Sequence, residues 1–145
     1  MTAIFDKRLR AGKPLEIDGD GTQVRDFVHV SDVASAVVLA LSTDEDVIWN
    51  VASGDATSVI DLARAMAEVL GTSLDLRFRP RRVGDVYRSL LSPRTLLATG
   101  LWGPPLSLAQ GLRLSLSETP AVDRAAAKPA PPLSRTTVGE EADLP

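Results

Sequence analysis

A glycine-rich turn that leads through one strand into a helix constrains this chain more than any other segment. Residues 19–32 read Gly-Asp-Gly-Thr-Gln-Val-Arg-Asp-Phe-Val-His-Val-Ser-Asp. Glycine supplies the positive φ that a tight turn needs. The β-branched and aromatic residues that follow predict a strand, and Ser31 or Asp32 then predicts the N-cap of a helix over 32–42. The segment therefore places Arg25, a planar anion-binding group, at a strand-to-helix junction.

The rest of the hydrophobic pattern predicts an α/β arrangement of short elements. The helix over about 58–70 has the clearest amphipathic period, with Thr57 or Ser58 as its cap and Gly71 at its end. The helix over 32–42 is apolar on nearly all sides, which predicts burial in a core or against another domain. Further helices are predicted over about 2–11, 93–99 and 107–117, and further strands over 15–17, 47–51 and 74–79.

Composition excludes several classes of site and partner. The chain has 145 residues and a net charge of −3, which argues against a nucleic-acid partner because such proteins need a clustered basic surface. It has no cysteine and a single histidine, so disulfides, thiolate metal sites and zinc sites built from several histidines are excluded. No apolar run approaches the roughly 18 residues of a membrane span, and no secretory signal is recognisable. We expect a cytoplasmic protein with no metal site and no membrane or nucleic-acid partner.

A change of composition near residue 120 predicts a boundary. Five of the ten prolines fall within residues 120–145, among small and charged side chains. Such a stretch buries too little apolar surface to offset its ordering entropy. We therefore expect a folded domain over 1–119 and a disordered Pro/Ala-rich tail over 120–145, with a linker to a partner as the alternative.

Two arginines in separate segments are the main candidates for a binding site. Arg25 precedes the predicted helix, and Arg82 opens the loop Arg-Val-Gly-Asp that ends at Asp85. Two guanidinium groups could neutralise a diphosphate together, and a carboxylate could accept hydrogen bonds from sugar or ribose hydroxyls. The alternatives are that Arg25 pairs with Asp20 or Asp26 on the surface, and that Arg82 belongs to a solvated basic face.

The remaining candidates favour structural roles. His29 could act as a general base, but no nucleophile is recognisable beside it, so a structural histidine is favoured. Trp49 and Trp102 are interpreted as packing groups.

Five segments, in order along the chain, resemble the NAD-dependent nucleotide-sugar epimerase/dehydratase family, the extended short-chain dehydrogenase/reductases. The resemblance extends over about residues 3–117 and is greatest to members like UDP-glucose 4-epimerase. The segments are Ala11–Ile17, Gly19–Val33, Trp49–Gly54, Arg82–Val86 and a closing stretch from Trp102 to Leu112.

The resemblance implies a site and a fold. It implies that Arg25 and Arg82 contact the diphosphate of a nucleotide-sugar, that Asp85 holds a ribose hydroxyl, and that Phe5 lies near the nucleotide base. It also implies that the chain is the carboxyl-terminal substrate-binding part of the α/β family fold, beginning about midway along the family's length. The amino-terminal Rossmann core that binds NAD would then be missing.

The chain departs from the family pattern where cofactor and catalysis are concerned. It has no glycine-rich NAD turn between a strand and a helix. Its single tyrosine, Tyr87, is followed four residues later by Leu91, so the family's Tyr-x-x-x-Lys pair is absent. We expect no catalytic residue, and no NAD binding by this chain alone, although NAD is the cofactor of the full-length family.

The expected function follows from the resemblance and its departures. The chain is expected to be the nucleotide-sugar-binding portion of an NAD-dependent epimerase (an isomerase), catalytically incomplete alone, with a UDP-hexose as ligand. The alternative is a standalone, non-catalytic nucleotide-sugar-binding or regulatory module. Because the helix over 32–42 would lack its cover, we also expect a complementing Rossmann half, self-association or marginal stability.

Overall fold

The described part of the chain contains five helices and four short strands. The computed structural model describes residues 1–44 and 46–117, so the tail expected over 120–145 lies outside the described residues. The helices are α1 Thr2–Arg10, α2 Val30–Leu41, α3 Val59–Leu70, α4 Arg94–Leu97 and α5 Leu108–Ser117. The strands are β1 Leu15–Asp18, β2 Val24–Arg25, β3 Thr57–Ser58 and β4 Leu76–Arg79.

The strands β1 and β4 run parallel, and β1 divides apolar from charged side chains. Asp18 lies opposite Arg79 at the end of this pair. Leu15 and Ile17 are buried, whereas Glu16 and Asp18 are only partly covered. Since successive side chains of a strand point to opposite faces, β1 directs its two aliphatic side chains into the core and its two carboxylates to the other face.

The main hydrophobic core lies where α3 packs between α1 and α5. The buried face of α3 has the helical spacing predicted from the sequence, because apolar residues three and four apart share one side of a helix. Ser58 caps α3 through its hydroxyl, and Gly71 ends it with a φ of +64°. The buried residues of this core are Phe5, Leu9, Leu15, Ile17, Val59, Leu62, Ala63, Met66, Ala67, Leu112 and Leu116.

A second, smaller cluster holds α2 against the carboxyl-terminal segment. It consists of the buried residues Ala36, Leu96 and Trp102. The indole Nε1 of Trp102 donates to the backbone oxygen of Asp32 at 3.1 Å and to the Ser35 hydroxyl at 2.9 Å. Trp102 is therefore a packing group with a satisfied polar end, as the sequence predicted.

Most of α2 is left uncovered by the described chain. Ala36 is the only buried residue among its twelve, while Val38 is 67% and Leu41 84% exposed. The burial expected for an all-apolar helix is therefore not provided within the described residues. None of the described helices combines the length and the apolar character needed to cross a membrane.

The structure corrects three predictions around α2. The N-cap is His29, whose ring nitrogen accepts from the Ser31 amide, so neither Ser31 nor Asp32 caps the helix. Residues 47–51 form no strand, because no strand of the described chain lies beside them to complete a ladder. The strand before α2 is also shorter than predicted, since it is limited to the two residues of β2, which pair with β3.

Candidate functional site

All four residues singled out for a binding site line one cleft. The cleft has a volume of about 450 Å³ and lies between the start of α1, the charged face of β1 and the loop after β4. It contains four arginines and three carboxylates, which leaves a net side-chain charge of +1. Its lining residues are Met1, Ile4, Phe5, Arg8, Glu16, Ile17, Asp18, Gln23, Arg25, Val59, Arg79, Arg82 and Asp85.

Arg25 is fixed by a small sheet at one side of this cleft. It lies opposite Thr57 in the antiparallel pair of β2 and β3. Its guanidinium donates to the Val24 carbonyl at 2.8 Å through Nη1 and to Oδ1 of Asp85 at 3.1 Å through Nη2. The ion-pair partner is therefore Asp85, 60 residues away, and the predicted alternative of a pair with Asp20 or Asp26 is wrong.

Arg82 and Asp85 are the two ends of one turn. The Asp85 amide donates to the Arg82 carbonyl at 3.3 Å, and Gly84 adopts a φ of +83° that favours glycine. Arg82 Nε lies 2.8 Å from Oδ2 of Asp18, while the Arg82 side chain remains 78% exposed. The turn therefore places a guanidinium and a carboxylate beside the same cleft, and each is held by an ion pair.

Two further arginines complete the charged lining and were missed by the sequence reasoning. Arg79 Nη2 lies 2.6 Å from Oε2 of Glu16, and Arg8 Nη2 lies 3.1 Å from Oε1 of the same carboxylate. Arg8 also donates through Nε to the Pro14 carbonyl at 2.7 Å. The alternation of acid and aliphatic residues along β1 was the available signal, but its use required the pairing of β1 with β4.

Phe5 contributes less to the open cleft than the charged residues do. It lines the cleft, yet it is only 4% exposed and belongs to the main core. A ring buried among aliphatic side chains cannot offer a free face for stacking on a base. Phe5 therefore lies beside the site as a packing residue of its lining.

Asp26 has a structural role that the sequence reasoning overlooked. Its carboxylate accepts from the Ser53 amide at 2.8 Å, the Ser53 hydroxyl at 2.7 Å and the Gly54 amide at 3.1 Å. Three hydrogen bonds to one carboxylate fix the 53–54 loop against the strand that carries Arg25. The Asp26 carboxylate is thereby engaged by the 53–54 loop, and the ion pair of Arg25 is with Asp85.

The glycine-rich turn is built as a packed turn that does not fit a dinucleotide. Gly21 has a φ of +76°, and a Cβ there would lie 2.5 Å from Cγ1 of Ile60. A dinucleotide fingerprint needs glycines that leave the backbone open to a pyrophosphate at a helix N-terminus. Here the turn is closed by Ile60 and leads into β2, so these residues do not form an NAD cradle.

The Asp20 side chain further stabilises this turn. The Thr22 hydroxyl donates to Oδ1 of Asp20 at 2.6 Å, and the Thr22 amide donates to the same atom at 3.0 Å. The hydroxyl bond first, and then the amide bond, lower the pKa of Asp20 below its ordinary value because both stabilise the ionised form.

In residues 1–44 and 46–117, no group of three acidic or histidine side chains is placed to hold a metal ion.

Comparison with known proteins identifies similar segments in larger enzymes. Residues 1–52 match the model of the NAD dependent epimerase/dehydratase family. UDP-glucose 4-epimerase of Mycolicibacterium smegmatis is 36% identical over 113 residues, which cover 77% of this chain and 36% of that protein.

Solved structures agree with this similarity. The Thermotoga maritima UDP-glucose 4-epimerase with UDP-glucose superposes with a TM-score of 0.73 at 35% identity, over 79% of this chain and 37% of that one. The Thermus thermophilus UDP-glucose 4-epimerase in complex with NAD gives a TM-score of 0.71 at 38% identity, over 79% and 38% of the two chains. The described fold thus corresponds to little more than a third of each relative.

Proposed function

We propose, from the premise that the chain is related to the NAD-dependent epimerase/dehydratase family, that it is the nucleotide-sugar-binding portion of such an enzyme. Within the family architecture it would be the carboxyl-terminal substrate-binding part, without the Rossmann core. The observation that carries this proposal is the convergence of Arg25, Arg82 and Asp85 on one cleft from segments 60 residues apart in sequence. The solved relative that holds UDP-glucose supports the choice of a UDP-hexose as ligand.

The chemistry of the cleft suits the diphosphate of such a ligand. A guanidinium offers two parallel N–H donors to phosphate oxygens, and its charge persists at any physiological pH. Arg25 and Arg82 would bind the diphosphate from two sides of the cleft. Asp85 uses Oδ1 for Arg25, which leaves Oδ2 to accept from a ribose hydroxyl.

We assign binding, and not catalysis, to this chain alone. The hydroxyl of Tyr87 is hydrogen-bonded to Thr22 at 3.0 Å, and the ring lies 5.6 Å from the Arg81 guanidinium. Position 91, where a lysine would be needed to assist a tyrosine, is leucine. Since the glycine-rich turn also does not fit a dinucleotide, we expect neither NAD binding nor hydride transfer.

A complementing Rossmann half would supply what this chain lacks. The exposed apolar face of α2 is the surface we propose for it, because large uncovered apolar areas mark interaction sites. The second candidate function, a standalone binding module, is favoured by the main core, which is closed by α1, α3 and α5 themselves. Co-purification of the untagged chain with a polypeptide that carries a glycine-rich NAD turn would distinguish the two.

Isothermal titration of the purified chain with UDP-glucose tests the proposed ligand. We expect binding by the parent chain and its loss in both Arg25→Ala and Arg82→Ala. Arg64→Ala is the matched control, because Arg64 lies on α3 and pairs with Asp61 outside the cleft. A parallel titration with NAD should give no heat of binding. Equal affinity in all four proteins, or no affinity in any folded one, would contradict the assignment.

A further inference from the structure

The arginines of the cleft are already occupied by carboxylates of the same cleft. Asp18 holds Arg82 at 2.8 Å and Glu16 holds Arg79 at 2.6 Å. Both carboxylates project from one face of β1, since they alternate with the buried Leu15 and Ile17. An incoming diphosphate therefore meets guanidinium groups that have an internal anionic partner within reach.

The Asp18–Arg82 pair is the one that a ligand can most readily open. Arg82 is 78% exposed, and Asp18 keeps 30% of its side-chain surface exposed. Ion pairs this close to solvent contribute little net stability, so exchanging one anion for another costs little. The backbone around Asp18 is held independently, because its carbonyl accepts from Gln23 Nε2 at 2.9 Å. Arg82 can thus change partners without moving β1.

Resting on the proposed function, we propose that Asp18 is an affinity-setting residue of the cleft, which competes with the ligand diphosphate for Arg82. Glu16, which pairs with Arg79 and Arg8, adds a second negative charge to the same face of β1 and repels phosphate from there. The change in ligand affinity then has a direction that an ordinary binding residue would not give. Removal of the Asp18 charge strengthens binding, whereas removal of its partner Arg82 weakens it. The carboxylate lowers affinity both by occupying the guanidinium and by repelling phosphate across the cleft.

Titration of UDP-glucose into the full chain and into Asp18→Asn tests this inference. We expect Asp18→Asn to bind about three- to tenfold more tightly, because one weak ion pair no longer has to be broken and one like-charge repulsion is removed. Glu68→Gln is the matched control. It removes one negative charge from the exposed side of α3, outside the cleft, and is expected to leave the affinity unchanged.

A second readout follows Arg82 itself. In the parent chain the Arg82 Nε–H resonance, assigned by its loss in Arg82→Lys, should shift when UDP-glucose is added and should already be shifted in Asp18→Asn without ligand. Glu16→Gln provides a second variant with the same expected direction of affinity if Asp18→Asn does not fold.

The outcomes separate this inference from the proposed function. UDP-glucose binding to the parent chain, with equal or weaker binding to Asp18→Asn and Glu16→Gln, would overturn the competition and leave the nucleotide-sugar assignment standing. Absence of UDP-glucose binding in every folded protein would overturn the proposed function, and the inference with it.

Discussion

At the scale of single residues, Gly21 has the least room for a side chain among the described glycines. Its φ of +76° favours glycine, and its missing side chain makes room for Ile60, whose Cγ1 would lie 2.5 Å from an added Cβ. We predict that Gly21→Ala lowers the free energy of unfolding by the backbone strain of about 1–2 kcal/mol together with an overpacking cost of about 1–3 kcal/mol. Urea denaturation measures this free energy, and an unchanged m-value shows that stability alone has changed.

Gly12→Ala separates the two contributions to this cost. Gly12 has a φ of +62°, but nothing lies within 4 Å of a Cβ built there, so only backbone strain should appear. Combining Gly21→Ala with Ile60→Ala should recover part of the excess, since the clashing atoms are then removed. Equal destabilisation by Gly12→Ala and Gly21→Ala would show that the close packing of Ile60 has no energetic importance.

The site residues show what a sequence can and cannot predict at this scale. Arg25, Arg82 and Asp85 were singled out from their chemistry and given roles through a family resemblance, and all three line one cleft. Their ion-pair partners were not identified correctly. The pairing of Arg25 with Asp85, and of Arg82 with Asp18, depends on which strands and loops become neighbours, and local sequence carries no information about such long-range contacts.

At the scale of elements, α3 depends on a well-formed N-terminus. The Ser58 hydroxyl accepts from the Asp61 amide at 3.1 Å and donates to the Asp61 carboxylate at 2.6 Å. We predict that Ser58→Ala lowers the free energy of unfolding by about 1 kcal/mol, because a helix N–H loses its partner. The thermal midpoint measured by circular dichroism will report it. Ser73→Ala, an exposed serine beyond the other end of α3, is the control and should leave the midpoint unchanged.

Helices were predicted better than strands for a physical reason. The bounds of α1, α3 and α5 lie within one residue of the predicted ones, because helical hydrogen bonds and amphipathic periodicity are local. A strand forms only where another strand lies beside it. Residues 47–51 have the composition of a strand but no neighbour in the described chain, and Ile48 is 95% exposed. This segment therefore has the sequence of a paired strand without its pairing.

At the scale of the whole molecule, different elements form the covered and the uncovered surfaces. The main core belongs to α1, β1, α3 and α5, whose apolar faces are buried against one another. The cleft lies between α1, β1 and the segments that carry Arg25 and Arg82. The face of α2 and the 47–51 segment present aliphatic side chains to solvent. Because the described fold matches only 36–38% of its relatives' length, we interpret this surface as the one that the proposed complementing half would cover.

An uncovered apolar face of this kind should make the isolated chain associate with itself. We predict concentration-dependent oligomers in sedimentation velocity, and a shift toward monomer in the double variant Val38→Gln and Leu41→Gln. Glutamine keeps helix propensity and net charge while removing the exposed aliphatic groups, so the thermal midpoint should not fall.

The control for this last prediction replaces apolar residues that are exposed elsewhere. Val83 is 105% and Leu114 is 44% exposed, and their conversion to glutamine should leave the oligomers intact. A parent chain that is monomeric at all concentrations and melts cooperatively at a high temperature would contradict the prediction. Addition of a complementing Rossmann half should act like the α2 variant, because a partner that covers Val38 and Leu41 removes the same surface from solvent. Dissociation of the oligomers by that half, with no effect on the α2 variant, would tie the surface to its partner.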